Sequence, residues 1–434
     1  MNSPSFASAT SPGEVMRANP EKLAWRVLIA AFAVFLSLCG SLAYSVYWFI
    51  FLSYAPMDIT LEASRGTVQI TLPNSGEPIA VTDFRSDIET GVFIQTDSVS
   101  QGIVTFADGR TGQPIAAVTL FRDSEIEIAE ARAPRFEFNH SPYIIQVANE
   151  AGHIDALVLE PAEDRTVAFD LTVPQVTARL FEAGLYAADV SARESTITTR
   201  DGLAIISGRA EDSRPVPLES SERLTVEIGE EPRSNPESLE NLLTNGLFHE
   251  DFEEGWNFYN DREPPGEANN AVFDGRAVIA LDRSQERFPG QELGHGETGL
   301  VQFLNMDVSG YDYLEMRTTF YVAEQSLSTC GIAGSECPMM VRMVYRDESG
   351  AQQVYIHGFY ASHDPGRGYP LACDTCRTEH ERVAPNTWHT FESGNLMTLL
   401  PNGLRPEFIY QVSFYASGHA YKTYVSEMSL MVEE

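Results

Sequence analysis

The chain has 434 residues, 29 Lys+Arg against 62 Asp+Glu, and a formal net charge of −33. Its length allows two or three domains of ordinary size. So acidic a surface repels nucleic acid and anionic headgroups, which leaves nucleic acid out as a partner and suits an exported domain.

Residues 1–26 are rich in Ser, Ala, Pro and Asn, too short and too polar to bury a core. They are expected to form a disordered cytoplasmic tail. Residues 27–52 (VLIAAFAVFLSLCGSLAYSVYWFIFL) carry no charge. A bilayer core needs about 20 apolar residues in a helix, so this run reads as a single transmembrane helix. Trp25 marks one end; Tyr44, Tyr47, Trp48 and Tyr54 crowd the other, as an interfacial aromatic belt does. Arg17, Lys22 and Arg26 precede the run, whereas Asp58 and Glu62 follow it. This bias places the N-terminus in the cytoplasm and the remainder outside a bacterial cell membrane. A cleaved signal peptide is the alternative, but its apolar core is usually shorter. A lipoprotein signal would use Cys39, but Leu38 occupies the position where a small residue is needed.

From 56 to 230 the pattern is short runs with rough alternation, such as TVQITL, GVFIQT, IAAVTLF and TVAFDLTV. They are punctuated by Gly, Asn, Pro and Asp, as at Pro73-Asn74-Ser75-Gly76 and Asp108-Gly109. This predicts an all-β domain with no helical period for a parallel βαβ fold. The segment GVFIQTDSVSQGIVTFADGR, followed by AAVTLFRDSEIEIAEA, resembles the FecR-type periplasmic domain, with a threshold Gly, a T-x-x-x-S step and a strand ending in DG. FDLTVPQVTARLFEAGLYAADVSARESTITTRDGLAIISG resembles its second half. The resemblance implies a domain outside the membrane that passes signals inward to a sigma factor. The short tail has no counterpart of the family's cytoplasmic anti-sigma segment.

Residues 231–240 form a polar, acidic linker. Residues 241–434 open with NLLTNGLFHEDFEEGWNFYN and close with KTYVSEMSLMVEE. They resemble the two ends of a carbohydrate-binding jelly roll of the galactose-binding-like type. Strands between them, including YLEMRTTFYVAE, MMVRMVYRDESG and FIYQVSFYASG, predict two antiparallel sheets packed face to face. The expected fold class is therefore an all-β ectodomain, a FecR-like domain plus a jelly-roll β-sandwich, behind one N-terminal transmembrane helix.

For chemistry, the chain holds no HExxH, GxSxG or Walker loop, and His380-Glu381 lacks a second histidine four residues after the first. It is therefore read as a non-catalytic protein without a cofactor. Cys330/Cys337 and Cys373/Cys376 read first as two local disulfides. Crossed pairing and a four-cysteine zinc site are the alternatives. The alternation of YLEMRTTFY puts Leu314, Met316, Thr318 and Phe320 on one side and Glu315, Arg317, Thr319 and Tyr321 on the other. Arg342 and Arg346 share a side, as do Gln411, Ser413 and Tyr415. Arg317, Tyr321, Arg342, Gln411 and Tyr415, with Trp388, are the candidate glycan contacts, because rings stack on sugar faces and forked donors satisfy hydroxyls. Trp256, Tyr259 and Tyr360 could add platforms, and an ordinary solvated sheet face is the plain alternative. The jelly-roll resemblance implies a structural calcium between the first and last strands, with Glu253 and Glu427 at those places. The leading function is a membrane-anchored sensor or binding protein for glycan or cell-envelope polymer. A structural surface protein with a protein partner and a FecR-type anti-sigma transducer are the alternatives.

Overall fold

The charge-free run forms a single helix, Pro20–Phe51. It starts before the apolar run because Pro20 suits a first helical turn, where no N–H is needed. Among the described residues, Glu21–Phe51, 31 residues, is long and apolar enough to cross a membrane. The computed structural model describes residues 20–73, 76–161, 165–210, 213–233, 235–401 and 403–433. Residues 1–19 of the expected tail, and Asn74 and Ser75 of the first turn, lie outside the described residues. Apart from the short helix Leu396–Leu399 and the 3-10 turn Pro365–Arg367, the other regular elements among the described residues are β-strands, as expected, and the chain divides into two compact units. One joins the helix, through Ala55, to Pro134–Ser141; the other holds Pro56–Ala133 and Pro142–Glu434.

Within the larger unit, the first β body is organised by the 16-residue strand Tyr143–Val158. Its first half pairs with Glu125–Pro134 in one sheet. Its second half pairs with Pro114–Leu120 and Gly184–Val190 in another. The switch lies at Asn149–Gly152, where the register shifts and Gly152 takes φ +77°. The chain then returns to lay Val167–Thr172 parallel to Tyr143–Ala148. Alternating apolar residues from both sheets fill one core, in which Phe106 and Phe169 meet edge to face at 6.5 Å.

The C-terminal body is a sandwich of two six-stranded sheets. Sheet I runs Glu267–Phe273, Arg276–Asp282, Tyr421–Glu433, Tyr313–Gln325, Trp388–Glu392, with Glu240–Asn241 also paired to Tyr421–Glu433. Sheet II runs Asn257–Asn260, Gly296–Asp307, Pro406–Gly418, Met339–Asp347, Gln352–Tyr360, Glu381–Arg382. Leu314, Met316 and Phe320 of sheet I pack with Val341, Met343 and Phe414 of sheet II in one core, as the alternation predicts. The segment read as linker is paired on both sides of Leu239: Glu237–Ser238 with Glu222–Arg223, and Glu240–Asn241 with Met431–Val432.

Candidate functional site

The six candidate contacts divide between the outer faces of the two sheets, which have different fates. Arg317, Tyr321 and Trp388 belong to sheet I, whose outer face is covered by the first β body. Arg317 is 1% exposed. Its guanidinium reaches Asp155 of the first body, Glu392, and Glu427 at 2.9 Å. Burial opposes its charge, but the three carboxylates outweigh it and raise the pKa well above the usual arginine range. Trp388 packs in an apolar cluster with Ile103 and Ala117 of the first body and with Val278; Phe273, Tyr321 and Tyr424 lie against it. Gln101 closes the contact, its side-chain Nε2 donating to the Thr390 carbonyl at 2.9 Å and its Oε1 accepting from the Thr390 N–H at 3.2 Å. These three residues are therefore docking residues, not glycan contacts. The alternation correctly sent Arg317 and Tyr321 outward, but a second body already occupies that face.

Arg342, Gln411 and Tyr415 lie on the outer face of sheet II, where the cross-strand rows Arg342–Ser413–Val301 and Val344–Gln411–Phe303 run side by side. Arg342 stacks 4.1 Å from the centroid of Tyr415 and donates to Glu297 Oε1 at 3.1 Å. Glu297 Oε1 also accepts from the Tyr259 hydroxyl at 2.8 Å. Burial would lower the Arg342 pKa, but the neighbouring Tyr415 and Glu297 raise it, so the guanidinium stays charged. Tyr415 is only 2% exposed, lodged among Cys330, Cys337, Met340 and Tyr360, so it supports Arg342 from beneath and offers no stacking surface. Gly299 makes this possible: a Cβ there would meet Tyr415 Cβ at 2.4 Å and the Tyr259 hydroxyl at 3.0 Å.

Of the further platforms read from the sequence, Trp256 is in the core against Phe248 and Phe414, and Tyr360 is buried. An exposed ring on this face is Phe303, 58% exposed and not among the candidates read from the sequence. Phe408 and Tyr410 add an edge-to-face pair at 5.1 Å, and Arg346 lies 5.1 Å from the Phe408 ring. Tyr410 sits where the pairing register shifts between Ile409 and Gln411, and simple alternation misplaces a residue at such a bulge. The signal for Phe303 was available: in LVQF, Leu300 faces the core and Phe303, three places on, faces the other way.

Both disulfides are local, Cys330–Cys337 and Cys373–Cys376. His380 lies between them. Its Nδ1 accepts the Gly358 N–H at 2.9 Å and its Nε2 donates to the Gly334 carbonyl at 2.7 Å. With both sulfur pairs closed and both ring nitrogens engaged, the cluster pins two loops together and presents no thiolate for the zinc alternative. The calcium reading loses Glu427, whose carboxylate is buried and accepts from Arg317 and from Thr319 Oγ1 at 2.9 Å. Glu253 is exposed.

Between the first body and sheet I lies an open cleft of about 1070 Å³, lined among others by Phe121, His153, Arg200, Tyr313, Glu315 and Glu392. His153 faces Asp155, Asp189 and Glu392 at 3.5–3.6 Å. Burial opposes its protonation, yet the three carboxylates raise its pKa well above the usual histidine value. Burial also raises Glu315, helped by Glu392. No sequence pattern announces this cleft, because its walls come from both bodies.

No protein-family model and no curated protein matches the chain. Among solved structures it is similar to a family 11 carbohydrate-binding module of a cellulosomal cellulase of Clostridium thermocellum, at 12% identity over 45% of this chain and 97% of that one, TM-score 0.27. It is also similar to CBM28, a module specific for non-crystalline cellulose, at 10% identity over 43% of this chain and 93% of that one, TM-score 0.25. A third similarity is to a candidate anti-sigma factor from Parabacteroides distasonis, at 13% identity over 34% of this chain and 60% of that one, TM-score 0.25.

Proposed function

We propose that this is a membrane-anchored, extracytoplasmic, non-catalytic binding protein. Its C-terminal sandwich takes glycan or a similar envelope polymer on the outer face of sheet II. The observation that carries this reading is the composition of that face. Phe303 is an exposed ring, flanked by Gln411 and, farther along, by Phe408 and Tyr410. Arg342 is held charged and fixed in place by Tyr415 and Glu297. An apolar ring face beside preorganised forked donors is what a sugar ring needs, with its C–H face on one side and its hydroxyls around the rim. The helix supplies the anchor, and the two disulfides fit an oxidising compartment. The acidic surface then sets a preference for neutral or basic polymers over acidic ones.

The test is a glycan array probed with the full chain in nanodiscs. Retention on a set of neutral oligosaccharides is expected. Phe303→Ala or Gln411→Ala should weaken it by roughly tenfold or more, about 1.4 kcal/mol. Tyr321→Phe, on the covered face, should leave it unchanged. No retention on any glycan by a folded protein would overturn the reading and turn attention to a protein partner on the same face.

A further inference from the structure

The loop Pro134–Ser141 (PRFEFNHS) leaves the first β body and belongs to the helix's compact unit. Its attachment is specific. The Ser53 carbonyl, just past the helix, accepts both the Arg135 N–H at 3.0 Å and the Asn139 side-chain amide at 2.9 Å. Arg135 Nη2 donates to the Tyr54 carbonyl at 2.9 Å. The loop is thus tied by three hydrogen bonds to two backbone carbonyls that lie just past the helix end. This anchoring fixes the height of the loop relative to the last apolar turn.

Beside the exposed Glu137 and His140, the loop carries two apolar rings at that height. Phe136 and Phe138 stack at 5.9 Å with an interplanar angle of 9°. Phe49 meets Phe136 edge to face at 5.4 Å, and Phe51 lies 6.4 Å from Phe138. Phe138 is nevertheless 56% exposed, and it continues a surface of exposed helix aromatics: Tyr44, Tyr47, Trp48, Phe49 and Phe51. Arg135 lies with its guanidinium 5.6 Å from the Phe49 ring. Aromatic rings with a cationic neighbour at the end of an apolar helix match the zone between hydrocarbon and headgroup.

We infer that Pro134–Ser141 is a second membrane-contacting element, in which Phe136 and Phe138 enter the interfacial layer of the outer leaflet and Arg135 meets lipid phosphate. The occupant is the lipid surface, because the patch is continuous with the helix that crosses it. The inference rests on reading that helix as a membrane anchor. Rings buried in the interface on a second chain segment would stop the helix exit from swivelling and set the angle at which the chain leaves the membrane.

The experiment uses the full chain reconstituted into phosphatidylcholine vesicles with or without bromine on the upper acyl chain, a contact quencher of tryptophan. The native chain reports the anchor through Trp25 and Trp48. The variant Trp25→Phe/Trp48→Phe/Phe138→Trp reports the loop, since Trp256 and Trp388 are buried in the β bodies. The expected result is that the variant's emission is blue-shifted and partly lost in brominated vesicles. If the native chain is quenched but the variant is equally bright in both vesicles, the loop inference falls and the anchor stands. If neither is quenched, the anchor reading falls and takes the inference with it. Phe136→Trp in the same background is the second probe, should the first variant misfold by circular dichroism.

Discussion

Arg317 carries one positive charge and meets three carboxylates, from Asp155, Glu392 and Glu427, at a position closed to water. Removing one partner of a buried ion cluster costs more than the pair contributes, because the remaining charges stay desolvated. Arg317→Met should therefore destabilise the protein by about 3–5 kcal/mol, read as a fall in the denaturant midpoint. The double variant Arg317→Met/Asp155→Leu should recover part of that loss, since it also removes an orphaned carboxylate. A loss below about 1 kcal/mol, in the range of an exposed salt bridge, would contradict the docking role. Gly299 offers a second test at this scale. Gly299→Ala places a methyl against Tyr415 and the Phe414 carbonyl, 2.7 Å away, so overpacking should cost about 1–3 kcal/mol and loosen Arg342. Glycan binding should then weaken even though no contact residue has changed.

Strands and loops were unequally legible in the sequence. The alternation of Leu314, Met316 and Phe320 against Arg317 and Tyr321 was readable because a strand has a period of two and a sandwich buries one face. What covers the other face was not readable. Arg317 and Arg342 look alike in sequence, each on the polar side of a central strand. They part because Asp155, 162 positions before Arg317, docks on one sheet only. Tyr415 failed as a stacking platform for a related reason: the Cys330–Cys337 loop folds back over it, and spacing alone does not show where a loop folds. The disulfides were legible because close spacing favours local closure. Their exposures differ: Cys330 and Cys337 are buried, Cys373 and Cys376 half-buried. Mild reductant should therefore open Cys373–Cys376 first, seen as alkylation of those two residues by peptide mapping. Cys330–Cys337 should resist until the loop opens locally. Rings this small contribute less than the roughly 3 kcal/mol of a 15-residue loop, so the sandwich should stay folded throughout. Unfolding on the first reduction would contradict this.

The two β bodies form one compact unit, joined by the Trp388 cluster, the Arg317 carboxylates and the Arg65–Glu381 and Arg223–Glu433 ion pairs. They should melt in a single transition, and separate transitions in calorimetry would contradict that. The junction should also be sensitive to pH. His153 has its folded pKa raised, so its contribution is complete below about pH 6.5 and is lost as pH rises through the folded value. Asp155 and Glu392 have theirs depressed, so their contribution is present above about pH 4 and is lost as pH falls through the folded values, about 2 for Glu392. Stability of the docked unit should therefore decline on the alkaline side, and His153→Gln should flatten that decline. An unchanged alkaline limb in the variant would remove His153 from the account. The central claim, a glycan site on the outer face of sheet II, is tested most directly by hydrogen exchange of the full chain in nanodiscs with and without an array-selected oligosaccharide. New protection is expected on the strands carrying Phe303, Arg342 and Gln411, and none along the cleft beside His153 and Glu315. Protection confined to that cleft would contradict it.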